Sequence, residues 1–250
     1  MAGHSKWNNI KRRKGAVDAK RGLIFSKLAK EIAVAARMGG GDPATNAQLR
    51  TVLLNAKAEN MPKDNVERAI KKGTGELPGT FYEEMTYEGY GPGGVALLIE
   101  VLTDNKNRTV AEIRHLLGKH GGSMAESGAV RWNFEPKGSI TLPLGDHDEE
   151  SMFEKAIEAG AEDLNIDGET IYITTESQQV HAVAEALQGQ GLEPETVNLT
   201  MVPKTTVKAE GSAAQSVLRL LEVLEDHDDV QNVYANFDIS EEEIAAAMSE

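Results

Sequence analysis

The apolar residues change period across 73–80, GTGELPGT. A chain with helical spacing before such a glycine- and proline-bearing break, and strand-length apolar runs after it, must build two kinds of layer. Before the break, 22–38 places Phe25, Leu28, Ala29, Ile32 and Ala36 on one helical face, and Gly39-Gly40-Gly41 stops the helix. Asp42 then reads as an N-cap with Pro43 at the first helical position of a second helix carrying Leu49, Leu53 and Ala56, which Asn60-Met61-Pro62 breaks. A third helix, about 63–72, carries Val66 and Ile70 and ends at Gly73. Three punctuated helices make a small bundle.

After the break the order is strand 94–104, helix 107–122 and strand 129–134, a β-α-β unit. Strand 139–144, helix 149–159, a strand pair or one long strand across 162–176, helix 178–188 and a strand near 195–202 form a second set, complete in itself. Helix 214–230 and strand 230–239 then supply what the first unit lacks, giving a split β-α-β-β-α-β arrangement. The expected architecture is α+β: an N-terminal three-helix bundle followed by two ferredoxin-like α+β domains, one nested in the other. Its boundaries are 1–76 for the basic helical domain, 77–135 plus 205–240 for the discontinuous domain, and 136–204 for the inserted one.

Composition narrows the function. With 250 residues, 40% of them hydrophobic and 26% charged, the chain can bury a substantial core. Zero cysteines exclude disulfides, thiolate catalysis and thiolate metal sites. The N-terminus shows no apolar signal segment and no run of 18 apolar residues occurs, so a cytoplasmic protein without membrane contact is expected. Gly89-Tyr90-Gly91-Pro92-Gly93-Gly94 fits G-x-G-x-x-G but precedes a strand instead of opening a helix, and Pro92 removes a backbone donor, so it reads as a turn. His115 and His120, five apart, fall on different helical faces. The runs 146–150 and 225–229 read as solvated acidic helix ends. No enzyme, metal or cofactor is expected.

The net charge of −14 hides its distribution. Residues 1–78 hold 16 Lys and Arg against 7 Asp and Glu, a net of +9, and residues 79–250 hold 10 against 33, a net of −23. Within 6–21 seven cations, Lys6, Lys11, Arg12, Arg13, Lys14, Lys20 and Arg21, face the single acid Asp18. Such a segment gains from binding a polyanion and releasing its counterions. Trp7 could stack on an unpaired base, and burial on the bundle is its competing role. Lys27, Lys63, Arg68, Lys71 and Lys72 extend the basic set, and the second and third helices could form a helix-turn-helix.

The texts MAGHSKWNNIKRRKGAVDAKRGLIFSKLAKEI, GGGDPATNAQLR and NMPKDNVERAIKKG, with YEGYGPGG and TDNKNRTVAEIRHLLGKHGG, closely resemble the YebC/PmpR family. The resemblance implies three domains, one helical and two α+β. It also implies either a DNA-binding transcriptional regulator or, as in ribosome-associated relatives, a translation factor on ribosomal RNA. In the latter case Tyr87 and Tyr90, and Asn105, Lys106, Asn107 and Arg108, lie on motif loops that could reach a functional centre. SMAESGAV at 123–130 departs from the family's more usual Gly-Ser-Val turn. The expected partner is duplex DNA or ribosomal RNA, with the ribosome or a transcription-machinery protein beside it. A third reading makes the chain an adaptor whose acidic body binds basic proteins.

Overall fold

A computed structural model describes residues 18–145, 147–240 and 242–244, with 18–20 described by their backbone alone. The elements run α1 (Asp18–Gly39), α2 (Ala47–Ala58), α3 (Lys63–Thr74), β1 (Glu83–Tyr90), β2 (Ala96–Thr103), α4 (Lys106–Lys119) and β3 (Ser123–Met124). They continue β4 (Phe134–Pro143), α5 (Glu149–Ala159), β5 (Asp163–Asp167), β6 (Thr170–Glu176), α6 (Val180–Gly189) and β7 (Thr196–Pro203). Last come β8 (Val207–Lys208), α7 (Gly211–Glu225), β9 (Val230–Ala235) and β10 (Phe237–Asp238). The class is α+β. One four-stranded sheet has the order β3-β1-β2-β9, another β5-β6-β4-β7, and β8 pairs with β10.

Contacts divide the chain into two compact units. One takes α1 as far as Lys30, Thr80–Glu135 and the chain from Val202 onward. The other takes Glu31–Gly79 and Pro136–Met201. In the first unit β1 and β2 form an antiparallel hairpin through the Gly91–Gly94 connection, and β9 returns to lie antiparallel against β2. The core is Leu97, Ile99 and Val101 of β2, Ile113 and Leu117 of α4, and Val217, Leu221 and Leu224 of α7, closed by Val233 and Phe237. β2 is buried on both faces, which is why ALLIEVLT is almost continuously apolar.

In the second unit β4-α5-β5-β6-α6-β7 gives the strand order of a split β-α-β-β-α-β fold. Ile140, Leu142, Ile171 and Ile173 alternate inward and meet Met152, Ala156, Val183 and Leu187 of the two helices. Leu54 of α2 packs against this core. Gly73 lies inside α3, not at its end. A Cβ there would collide with the Ala33 carbonyl oxygen, so the residue permits close helix–helix approach, and the helix stops instead at Gly75 with φ 84°.

Three local expectations need correction. α2 is capped by Asn46, whose side chain accepts from Leu49 N at 3.0 Å, and Asp42-Pro43 forms the turn before it, with Asp42 accepting from Ala44 N. Asn46 wins because its amide also donates to the Ala35 and Gly40 carbonyls at 2.8 Å each, joining two helices at once. Residues 129–134 are not a strand: a 3-10 turn occupies Arg131–Asn133, and β4 begins at Phe134. The first sheet starts one strand earlier than the apolar runs suggest, at β1, so it is led by a hairpin and not by a β-α-β crossover. Among the described residues no helix is long and apolar enough to cross a membrane.

Candidate nucleic-acid interface

Lys6, Trp7, Lys11, Arg12, Arg13 and Lys14 lie outside the described residues, as does the side chain of Lys20. Arg21 is exposed. Lys27 is turned inward: its Nζ donates to the Glu225 carbonyl at 2.6 Å, the negative end of the α7 dipole. That contact withdraws Lys27 from the expected basic surface, and Lys30, on the same helix, is engaged likewise.

Exposed cations of the second unit are Arg50 and Lys57 on α2 and a larger set on α3. Pro62 starts this helix with its fixed φ of −59°, Asp64 lies in the first turn and Lys71 and Lys72 in the last, as the dipole prefers. Ala69 is buried, while Lys63, Arg68, Lys71 and Lys72 are exposed, Lys63 standing 3.6 Å from Glu67. A helix-turn-helix reads bases with the N-terminal residues of its second helix. In α3 that half carries Asp64 and Glu67 against Lys63 alone, a net negative charge that repels phosphate, whereas Arg68 lies at mid-helix and Lys71 and Lys72 in the last turn. The chemistry available is therefore backbone contact, not insertion of the helix tip into a groove. Beside it, an open groove of about 450 Å³ is lined by Leu53, Lys57, Asn60, Met61, Lys63 and Val66.

The expected motif positions resolve into framework and surface. Tyr87 is half-buried against the core of the first unit, and burial, only partly offset by Lys106, pushes its hydroxyl pKa up. Asn105 caps α4 by accepting from Arg108 N at 3.1 Å, Lys106 pairs with Glu83, and Asn107 is exposed. Arg108 donates to Asp104 at 2.9 Å and to Asp229 at 2.7 Å. The 104–108 stretch thus opens a helix and braces it, which corrects the expectation of a reaching loop.

Asp229 is the hub of that bracing and corrects the view of 225–229 as solvated. It is 3% exposed; Oδ1 accepts from Lys30 Nζ at 2.8 Å, and Oδ2 from Arg108 and from the Thr109 hydroxyl at 2.8 Å, with Thr103 3.2 Å away. Burial raises a carboxyl pKa, but Lys30, Arg108 and Thr109 outweigh it and hold Asp229 well below the usual carboxylate range. Glu112, His227 and Asp229 bring ligand atoms within 4.8 Å of one another. With two cations and a hydroxyl already on Asp229, and His227 Nδ1 accepting from Asp229 N, the group is satisfied as an ion-pair hub.

Glu88 is a second buried acid that the spacing gave no reason to single out. It leaves β1 at 7% exposure, and its carboxylate accepts from Gly128 N at 2.6 Å, Val130 N at 2.7 Å and Arg131 N at 2.9 Å. Burial alone would raise its pKa; the three amides and the Arg131 charge reverse the sign. This one side chain thus ties three backbone amides of 128–131 to β1, within and just after the 123–130 stretch. Tyr90 hangs over the same segment, 39% exposed, its hydroxyl 3.4 Å from the Ala129 carbonyl oxygen.

Two sheet-bearing units, with exposed cations along α3, describe an α+β protein whose N-terminal helices are basic and whose remaining sequence is acidic. The matches say which one. Residues 5–76 match the TACO1/YebC protein N-terminal domain and residues 82–237 the TACO1/YebC second and third domain, and the chain belongs to this family. A relative from Geotalea uraniireducens, named "Probable transcriptional regulatory protein", is 56% identical over 248 residues, covering 99% of this chain and all of its own. One of the same name from Acidithiobacillus ferrooxidans is 56% identical over 245 residues, 98% of both chains. A crystal structure of a conserved hypothetical protein from Aquifex aeolicus superposes with a TM-score of 0.83 at 49% identity, covering 89% of this chain and 92% of that one.

Proposed function

We propose that this chain is a nucleic-acid-binding regulator of gene expression that grips its ligand through the phosphate backbone. The observation that carries this is the run of exposed Arg68, Lys71 and Lys72 from the middle to the last turn of α3, together with the seven cations of 6–21. Phosphate contacts of this kind supply affinity and register but no base readout. The names of the relatives favour duplex DNA and transcription. The acids Asp64 and Glu67 at the tip of α3 favour the second reading, structured RNA such as ribosomal RNA, because they obstruct major-groove reading while leaving backbone contact open.

The test is salt dependence. Replacing Lys11, Arg12, Arg13 and Lys14 by alanine should lower the slope of log K against log salt by up to about 3 to 4 on duplex DNA, and by about 3 on single strands. Replacing Arg68, Lys71 and Lys72 should lower it by a further 2 to 3 or so. Competition between a DNA duplex and ribosomal RNA fragments in the same titration separates the two ligands. Unchanged affinity and slope in both variants would sink the nucleic-acid reading and leave the acidic body as a binder of basic proteins.

A further inference from the structure

Trp132, in the 3-10 turn Arg131–Asn133, is 67% exposed, the most open tryptophan or tyrosine among the described residues. Its indole N–H is not free: it donates to the Ala129 carbonyl at 2.9 Å, the same oxygen that the Tyr90 hydroxyl approaches. The polar edges of both rings are turned toward one internal acceptor, and their apolar faces remain for a ligand. The support is rigid. Glu88 collects the amides of Gly128, Val130 and Arg131, so the turn carrying Trp132 is pinned to β1 two residues before Tyr90. Tyr90 is fixed in its turn, since β3 pairs Ser123 with it and a Cβ on Gly122 would come within 2.6 Å of its carbonyl oxygen.

We propose that Trp132, with Tyr90 beside it, is a stacking platform for an unpaired nucleobase. This rests on the nucleic-acid reading above and narrows the ligand to one with single-stranded or looped bases. Three observations favour a base over a protein. The neighbours Glu126, Ser127 and Gly128 are exposed and mostly polar, so the two rings do not extend into the broad apolar patch that a protein interface of about 800 Å² per partner needs. From 112 to 135 the chain holds Arg114, Lys119 and Arg131 against Glu112, Glu126 and Glu135, a neutral stretch in a body of net −23, so the phosphates flanking a stacked base meet less repulsion here than elsewhere on it. An indole whose N–H is already satisfied has only its π-face to offer, and stacking needs nothing else.

The experiment uses the full chain with Trp7→Phe, which leaves Trp132 as its one tryptophan. It is titrated with a single-stranded RNA of about 12 nucleotides, the DNA of the same sequence, and heparin, a polyanion without bases. The expected result is saturable quenching of Trp132 emission by both oligonucleotides and none by heparin. Trp132→Ala should weaken oligonucleotide binding about five- to a hundredfold while heparin binding stays within about twofold, and Trp132→Phe should restore most of the loss. Oligonucleotide binding without quenching, and with unchanged affinity in Trp132→Ala, overturns the platform but leaves the phosphate-gripping function standing. Failure of the unsubstituted chain, with Trp7 in place, to bind any nucleic acid overturns both. A change confined to the sedimentation of the free protein assigns the ring to contact between copies and overturns the platform.

Discussion

Asp229 and Glu88 are buried carboxylates held ionised by partners far away in sequence, and their removal has calculable consequences. Asp229→Ala leaves Lys30 and Arg108 facing each other across an emptied site beside two buried threonine hydroxyls, and should cost about 3–5 kcal/mol in chemical denaturation. Glu88→Ala orphans three amides, each worth about 1–3 kcal/mol where water cannot replace the acceptor. Its effect should centre on 126–131, read as faster amide exchange there. Both groups have folded pKa values below their unfolded ones of about 3.9 and 4.3. Their contribution is therefore full above roughly pH 4.5 and is lost as pH falls through that range toward the depressed folded values. The urea midpoint should drop on acidification from pH 6 to 3, and Asp229→Asn, already destabilised at pH 6, should drop less steeply. Neither acid was legible beforehand. Asp229 sits in a run of acids that reads as a helix end, and what buries it are Lys30 and Arg108, 199 and 121 residues away.

At the scale of elements, period and punctuation located nearly every helix, because each has its own apolar stripe and its own stop. α5 was legible to the residue, with Asp148 capping through Ser151 N and Gly160 closing in the left-handed region. The errors came where two signals competed. Asp42-Pro43 is the stronger local start for α2, yet Asn46 can cap and also bridge to Ala35 and Gly40, and tertiary bonds decided. Asn46→Ala should accordingly cost about 2 kcal/mol, at the top of the range for a cap, and Asp42→Ala only a few tenths, checked by paired thermal melts. β1 is obscured in the sequence: Met85 and Tyr87 alternate with Glu84 and Thr86, but its end runs into glycine-rich text that reads as a turn. At the interface the basic character of α3 was plain from composition. The withdrawal of Lys27 to a carbonyl 198 residues away was not.

Across the whole molecule, the order in which the chain contributes to its two cores sets how it can be divided. Every fully buried member of the second core lies between Ile140 and Val197, with Leu54 of α2 as an added, half-buried contact. The first core needs both Val95–Leu117 residues and those from Ala209 to Ile244, and β2 has β9 as its outer neighbour. A fragment of 136–204 should therefore unfold cooperatively by itself, with a midpoint below that of the same unit in the full chain because it lacks the Leu54 contact. The fragment 77–135 should not: without α7 and β9 it exposes one edge of β2 and the apolar face of the sheet. Joining 77–135 to 205–244 through a short glycine linker restores both and should recover a cooperative transition. Far-UV circular dichroism against urea decides between the outcomes. A cooperative transition in 77–135 alone, or none in the joined chain, would mean that the insertion at 136–204 does more than interrupt the first core and is needed to bring its two halves together.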